Sequence, residues 1–331
     1  MLIALAAFAV GASACLVVIV WLLRSGRASR VLDRPNERSL HSTPVPRIGG
    51  LGIMAGVLPA LLIAGMPWTV VSATAFLAAV SFADDRKGLP IAARFGAHFV
   101  AAGLLLAAVA GGAWSWFAAG AAALAVVWMT NLYNFMDGSD GLAGGMALIG
   151  FGAYAAAAGM SGDAMLLTAS IGIAAAAAAF LHFNFHPARV FMGDAGSIPL
   201  GFLAASLGLL GWARGAWPLW FPAVAFGPFV ADASVTLIRR MARGERFWEA
   251  HRSHYYQRLV QLGFGHRRTA LAEYGLMALS ALVALLACRA APAAQAIAAV
   301  ALAAVYAVAG AWVERRWRRF AAARNRQEAG E

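Results

Sequence analysis

LIALAAFAVGASACLVVIVWLL, residues 2–23, decides the fold. It carries no charge and is followed by Arg24. A helix rises 1.5 Å per residue, so about 20 apolar residues cross the hydrocarbon of a bilayer. No basic segment precedes the run, which predicts a retained span and not a cleaved signal. Similar runs recur down the chain, continuous and not alternating, and so predict helices, not strands. Spans are expected near 2–23, 48–66, 68–83, 93–111, 114–131, 142–160, 163–181, 196–211, 217–238, 270–288 and 293–313. The third and eighth are short, and tilt or local thinning accommodates them.

Composition points the same way. The 331 residues are 62% hydrophobic and 12% charged, against about 25% charged in a soluble domain. The expected fold is an all-α polytopic transmembrane bundle of about 11 spans, with residues 1–313 as one membrane domain and 314–331 as a basic tail. The net charge of +11 does not mark a nucleic-acid binder, because no soluble basic surface exists to carry it. Cys15 and Cys288 form neither a disulfide framework nor a metal spacing.

Orientation follows from the basic residues, which concentrate in cytoplasmic loops. With the N-terminus periplasmic and the C-terminus cytoplasmic, only Arg214 and Arg289 of the 26 Lys and Arg fall outside. The acids then gather on the same inner face. Asp33, Glu37, Asp84, Asp85, Asp137, Asp140, Asp194, Asp232, Glu245 and Glu249 lie in cytoplasmic loops or helix ends, and Asp163 is the one acid in an outside loop. Carboxylates drawn to one membrane face from distant loops predict a single site.

Four motifs carry it. Ser81-Phe82-Ala83-Asp84-Asp85-Arg86-Lys87-Gly88 ends the third span. Paired carboxylates there meet the negative end of the helix dipole, so a metal ion or cationic partner must compensate them; an exposed charged loop end is the plain alternative. In Asn131-Leu132-Tyr133-Asn134-Phe135-Met136-Asp137-Gly138-Ser139-Asp140-Gly141, the glycines permit close ligand approach. Helix capping explains Asp140 but not two Asp and two Asn together. In Asn184-Phe185-His186-Pro187-Ala188-Arg189-Val190-Phe191-Met192-Gly193-Asp194, the last acid opens a helix. Free N–H groups there attract phosphate, and the acid suits Mg²⁺; an N-cap is again the alternative. Trp248-Glu249-Ala250-His251-Arg252-Ser253-His254-Tyr255-Tyr256-Gln257-Arg258 sits in the largest basic loop. Lipid attraction explains its arginines but not its histidines and aromatics, which suit phosphate and sugar hydroxyls. The first loop, Asp33 to Gly50, is broken by prolines and places Arg47 to meet an anion.

In this order the motifs resemble the polyprenyl-phosphate N-acetylhexosamine-1-phosphate transferases, glycosyltransferase family 4, relatives of phospho-MurNAc-pentapeptide translocase. The likeness runs from about Asp33 to Arg268. It implies transfer of an N-acetylhexosamine 1-phosphate from a UDP-N-acetylhexosamine to undecaprenyl phosphate in the inner leaflet of a bacterial inner membrane, with release of UMP. It implies Mg²⁺, with Mn²⁺ an allowed substitute, and Asp194 as the metal ligand. Asp84 would orient or deprotonate the lipid phosphate, with Asp85, Asp137 and Asp140 as further catalytic candidates. Asn134, Asp137, Asp140, Asn184 and Phe191 match nucleotide-pocket positions, and Phe191 is placed to stack on uracil. Asp232 matches a recurring acid of the ninth span. Arg47, Arg252 and Arg258 would steady the diphosphate, with His251 and His254 beside them. A homodimer is compatible with this reading.

The chain departs from the pattern in its last loop. Many relatives carry His-x-His-His, where this chain has His254-Tyr255-Tyr256-Gln257 and an extra His251. That resembles the branch that initiates O-antigen or other surface polysaccharide, whose sugars include deoxy-N-acetylhexosamines. A secondary transporter is the competing class, but its site belongs at broken helices near the midplane. A CDP-alcohol phosphotransferase fails because Asp137-Gly138 is followed by Ser139-Asp140 and not by Ala-Arg.

Overall fold

The computed structural model describes residues 1–35, 40–41, 43–109, 114–246 and 251–328. Glu37, Trp248 and Glu249 fall outside the described residues.

Helices follow the apolar runs closely. They are α1 (Leu2–Arg24), α2 (Gly49–Ile63), α3 (Trp68–Lys87), α4 (Ile91–Val109), α5 (Trp116–Phe135), α6 (Leu142–Ser161), α7 (Ala164–Asn184), α8 (Asp194–Ala213), α9 (Phe221–Ala225), α10 (Gly227–Ala242), α11 (Tyr255–Leu259), α12 (Gly265–Ala287) and α13 (Pro292–Glu328). The protein is all-α and polytopic in its apolar part. Eight helical stretches among the described residues are long and apolar enough to cross a membrane. Of the other runs, α2 has 15 residues and α3 ends on Asp84, Asp85, Arg86 and Lys87.

The run expected over 217–238 is broken, because Phe226 is non-helical between α9 and α10. Pro228 has no N–H for the carbonyl of Val224, so a continuous helix cannot form there. Buried aromatics brace the break: Phe229 packs 5.2 Å from Tyr133 of α5, and Phe226 5.4 Å from Phe151 of α6. The boundary expected at 313/314 falls inside α13, one helix of 37 residues.

A short ribbon was not foreseen. β1 (Leu32–Asp33) pairs antiparallel with β2 (Val45–Pro46), Leu32 opposite Pro46 and Asp33 opposite Val45. The Phe191 N–H then donates to the Pro46 carbonyl at 2.8 Å, and the Gly49 and Gly50 N–H groups donate to the carbonyls of Phe191 and Met192 at 2.9 and 2.8 Å. The first loop is thereby fixed to the α7–α8 loop.

Lipid tails are as apolar as leucine, so helices associate in a bilayer through close packing of small residues. Such packing joins α1, α2 and α7. A Cβ on Gly11 would overlap the carbonyl oxygen of Gly172, and one on Gly56 would overlap that of Gly11. α8 is packed by α3 and α5 and is the most enclosed of the candidate spans.

Candidate active site

The C-terminal ends of α3, α5 and α7 and the N-terminal ends of α2, α6, α8 and α12 meet at one end of the bundle. A cleft of about 320 Å³ opens between them. Arg47, Asn134, Asp137, Asp140, Asn184, Phe191, Asp194 and His251 all line it, as do Asp33, His41 and His266. Asp84, Asp85, Asp232, Arg252, His254 and Arg258 do not.

Gly193, just before α8, has φ +71°, a conformation costly for any side chain. It has no side chain with which to cap the helix. Asp85 does so from α3, accepting the N–H groups of Asp194 and Ala195 at 3.2 and 3.0 Å. Two of the N–H groups expected to meet phosphate are therefore bound to Asp85. The Asp194 carboxylate is not a cap. It accepts a hydrogen bond from Asn134 Nδ2 at 2.8 Å and lies 3.6 Å from Arg94 Nη2. Asn134 Nδ2 also donates to Ser197 Oγ at 2.9 Å.

The compensation demanded by the Asp84-Asp85 pair is now visible. Asp85 faces the positive end of α8, and Asp84 Oδ2 pairs with Arg94 Nε at 3.0 Å. Asp84 Oδ1 accepts the Leu89 N–H at 2.6 Å, so both of its oxygens are engaged. Arg47 pairs with Asp33 at 2.8 Å and reaches Asp85 at 3.9 Å.

Asp137 differs from the other acids of the cleft in making no ion pair among the described residues. Burial, and the Asp194 carboxylate nearby, push its carboxyl well above the usual range. Asp140 is 6% exposed. It does not cap α6, because its Oδ2 accepts from His186 Nδ1 at 2.6 Å and from the Ala188 N–H at 3.1 Å. Asn184 is engaged at both ends as well: its oxygen accepts the Gly141 N–H at 2.9 Å and its amide donates to the Val190 carbonyl at 2.9 Å. Asp140 and Asn184 thus brace the two motif loops against each other. Phe191 meets the His41 ring edge-on at 4.9 Å.

The last loop is anchored by Asp232 of α10. Its Oδ1 accepts from the Tyr255 N–H at 2.9 Å and faces His254 Nδ1 at 3.2 Å, while Oδ2 accepts from the Tyr256 N–H at 3.1 Å. Asp232 and His254 are buried and form a cap for α11. Arg258 pairs with Glu314 of α13 at 2.8 Å, and Arg252 is exposed.

The family described as glycosyl transferase family 4 matches residues 67–211. A probable undecaprenyl-phosphate N-acetylglucosaminyl 1-phosphate transferase of Bacillus subtilis is 30% identical over 290 residues, 81% of this chain and 80% of its own. A decaprenyl-phosphate N-acetylglucosaminephosphotransferase of Mycobacterium tuberculosis is 32% identical over 72% of this chain and 71% of its own. A phospho-N-acetylmuramoyl-pentapeptide-transferase of Symbiobacterium thermophilum is 47% identical over 92 residues, 26% of this chain and 27% of its own. The chain belongs to glycosyl transferase family 4.

The family 4 match takes in Asp84, Asp85, Asn134, Asp137, Asp140, Asn184, Phe191 and Asp194, and leaves the first and last loops outside. Two site residues of this family 4 chain escaped sequence reasoning. Arg94 counted only as an inside cation, yet it bridges Asp84 and Asp194. His266 drew no notice, yet its Nε2 bonds the Leu40 carbonyl at 3.0 Å and its Nδ1 lies 2.9 Å from Ser139 Oγ. A lone histidine just after Gly265 was the only available signal.

The donor set admits a hard divalent cation. No group of three His, Cys, Asp or Glu stands ready to ligate among the described residues. Among the side chains lining the cleft, the carboxylates of Asp194 and Asp137 and the Asn134 amide oxygen are hard oxygen donors. Mg²⁺ favours such sites, where one or two carboxylates leave positions for water and phosphate.

Proposed function

We propose that this chain transfers an N-acetylhexosamine 1-phosphate from a UDP-sugar to a polyprenyl phosphate, undecaprenyl phosphate in most bacteria, and releases UMP. A phosphate oxygen of the lipid attacks the phosphorus next to the sugar. The bond from that phosphorus to the bridging oxygen breaks, its electron pair leaves with UMP, and a polyprenyl-diphospho-sugar remains. The observation that carries this reading is the cleft itself, where Asp137, Asp194, Asn134 and Arg47 converge from three separate segments of the chain, in a chain akin to a relative named for this transfer.

Asp194 and Asp137 would hold Mg²⁺, with Asn134 fixing the Asp194 carboxylate. When bound, the cation neutralises charge on the phosphoryl and leaving oxygens. Asp84 acts through Arg94, holding the guanidinium beside Asp194 where it screens the incoming anionic phosphate. Asp85 seats α8, and with it Asp194. Arg47 and His251 face the donor, and Phe191 offers its ring to uracil. The N-terminus is periplasmic and the C-terminus cytoplasmic, so the cleft faces the cytoplasm. The product fits the first step of O-antigen or other surface-polysaccharide assembly.

The test is purified protein with undecaprenyl phosphate, Mg²⁺ and a panel of UDP-N-acetylhexosamines. UMP and a sugar-diphospholipid should appear in equal amounts for at least one donor. Uptake of a solute by proteoliposomes, with no UMP from any donor, would transfer the case to a transporter.

A further inference from the structure

One wall of the cleft is held by a chain of bonds that begins on α13. Glu314 is 8% exposed. Its Oε2 accepts from Arg239 Nη1 at 2.7 Å and from Arg258 Nη1 at 2.8 Å. Arg258 is itself buried. Its Nε donates to the Ser253 carbonyl at 2.9 Å, and its guanidinium lies over the rings of Tyr255 and Trp317. Ser253 turns to His251: its backbone N–H donates to His251 Nδ1 at 3.3 Å, and its hydroxyl lies 2.8 Å from the same nitrogen.

A backbone N–H can only donate. His251 Nδ1 therefore carries the lone pair, and the ring proton sits on Nε2. Burial, with His254 and Arg240 nearby, lowers the ring's pKa to about 4, so His251 is uncharged at neutral pH. His251 lines the cleft. A neutral Nε2–H there is a donor ready for an oxygen of a phosphate or sugar.

We infer that Glu314 is a positioning residue: through Arg258 and Ser253 it holds His251 in the Nε2–H tautomer as a hydrogen-bond donor to the nucleotide sugar. The ligand half of this inference rests on the transferase reading, and the tautomer half does not. It also gives α13 a role in the site, although the helix contributes no residue to the cleft wall.

The experiment joins ¹⁵N-histidine spectra with turnover, both on the full chain in nanodiscs. In the wild type the His251 signal, assigned by its loss in His251→Phe, should show the Nε2–H tautomer at neutral pH. Glu314→Gln should average the two tautomers. His251→Phe and Glu314→Gln should each raise KM for the UDP-sugar about tenfold, the worth of one good hydrogen bond, and change kcat much less. His251→Gln keeps an N–H donor and should recover most of the loss. If Glu314→Gln fails to fold, Arg258→Lys removes the bond to Ser253 and is read the same way. An Nδ1–H tautomer in the wild type overturns the inference, as does an unchanged KM in Glu314→Gln. Absence of UMP release by the wild type refutes the transferase reading and the ligand assigned to His251, while the spectra still decide the tautomer.

Discussion

At the scale of single residues, two carboxylates of the cleft stand apart by what they touch. Asp194 is aimed by Asn134 and Arg94; Asp194→Asn removes the charge and the ion pair with Arg94 but keeps an oxygen to accept from Asn134. It should lower divalent-dependent transfer by at least about a hundredfold and leave the melting temperature of the membrane-embedded protein nearly unchanged. Activity close to normal would take Asp194 out of the metal site. Asp137 has a carboxyl held above the usual range by burial and by Asp194. A raised carboxyl is protonated in the metal-free protein where an ordinary aspartate is ionised, and a cation must displace that proton. The sign follows: cation affinity strengthens as pH rises. The half-saturating Mg²⁺ concentration should fall several-fold as pH rises, and Asp137→Asn should flatten the trend. A flat wild-type profile would place the cation elsewhere. Residue types and motif order gave away the cleft's acids, but not the work each does. Asp85, Asp140 and Asp232 bond to backbone that is remote in sequence, and a single sequence does not display such partners.

At the scale of elements, apolar length made the helices legible, and wherever length ceased to be the controlling quantity the reading failed. The 217–238 run looks continuous by hydropathy, yet Pro228 splits it into α9 and α10. The β1–β2 ribbon depends on pairing with the distant α7–α8 loop, which no local pattern announces. The most consequential contact between elements is the cap that α3 places on α8. Asp85→Ala leaves two N–H groups of a buried helix start without partners. It should cost about 2 kcal/mol of stability and reduce activity as well, because Asp194 is the first residue of α8. Asp85→Asn keeps an accepting oxygen and should be milder on both counts. Thermal melts of the three proteins in one detergent check the order. Equal stability of wild type and Asp85→Ala would show that α8 starts without help from α3.

At the scale of the whole molecule, charge and position support the proposed orientation in the membrane. The cleft lies at the end of the bundle that carries Arg47, Arg94, Arg239 and Arg258. The opposite end holds Arg214, which pairs with Asp163, and Arg289, which bonds the Met160 carbonyl. Positive loops stay on the cytoplasmic side, and nucleotide sugars are cytoplasmic compounds, so one orientation satisfies both the bias and the chemistry. Single cysteines test it. With Cys15 and Cys288 replaced by alanine, Ser161→Cys at the end of α6 and Ala242→Cys at the end of α10 are both exposed and lie at opposite ends. A membrane-impermeant maleimide added to spheroplasts should label Ser161→Cys at once and Ala242→Cys only after permeabilisation. The reverse pattern would turn the cleft outward, away from any nucleotide sugar, and the transfer could not occur there whatever the cleft's residues are suited to bind.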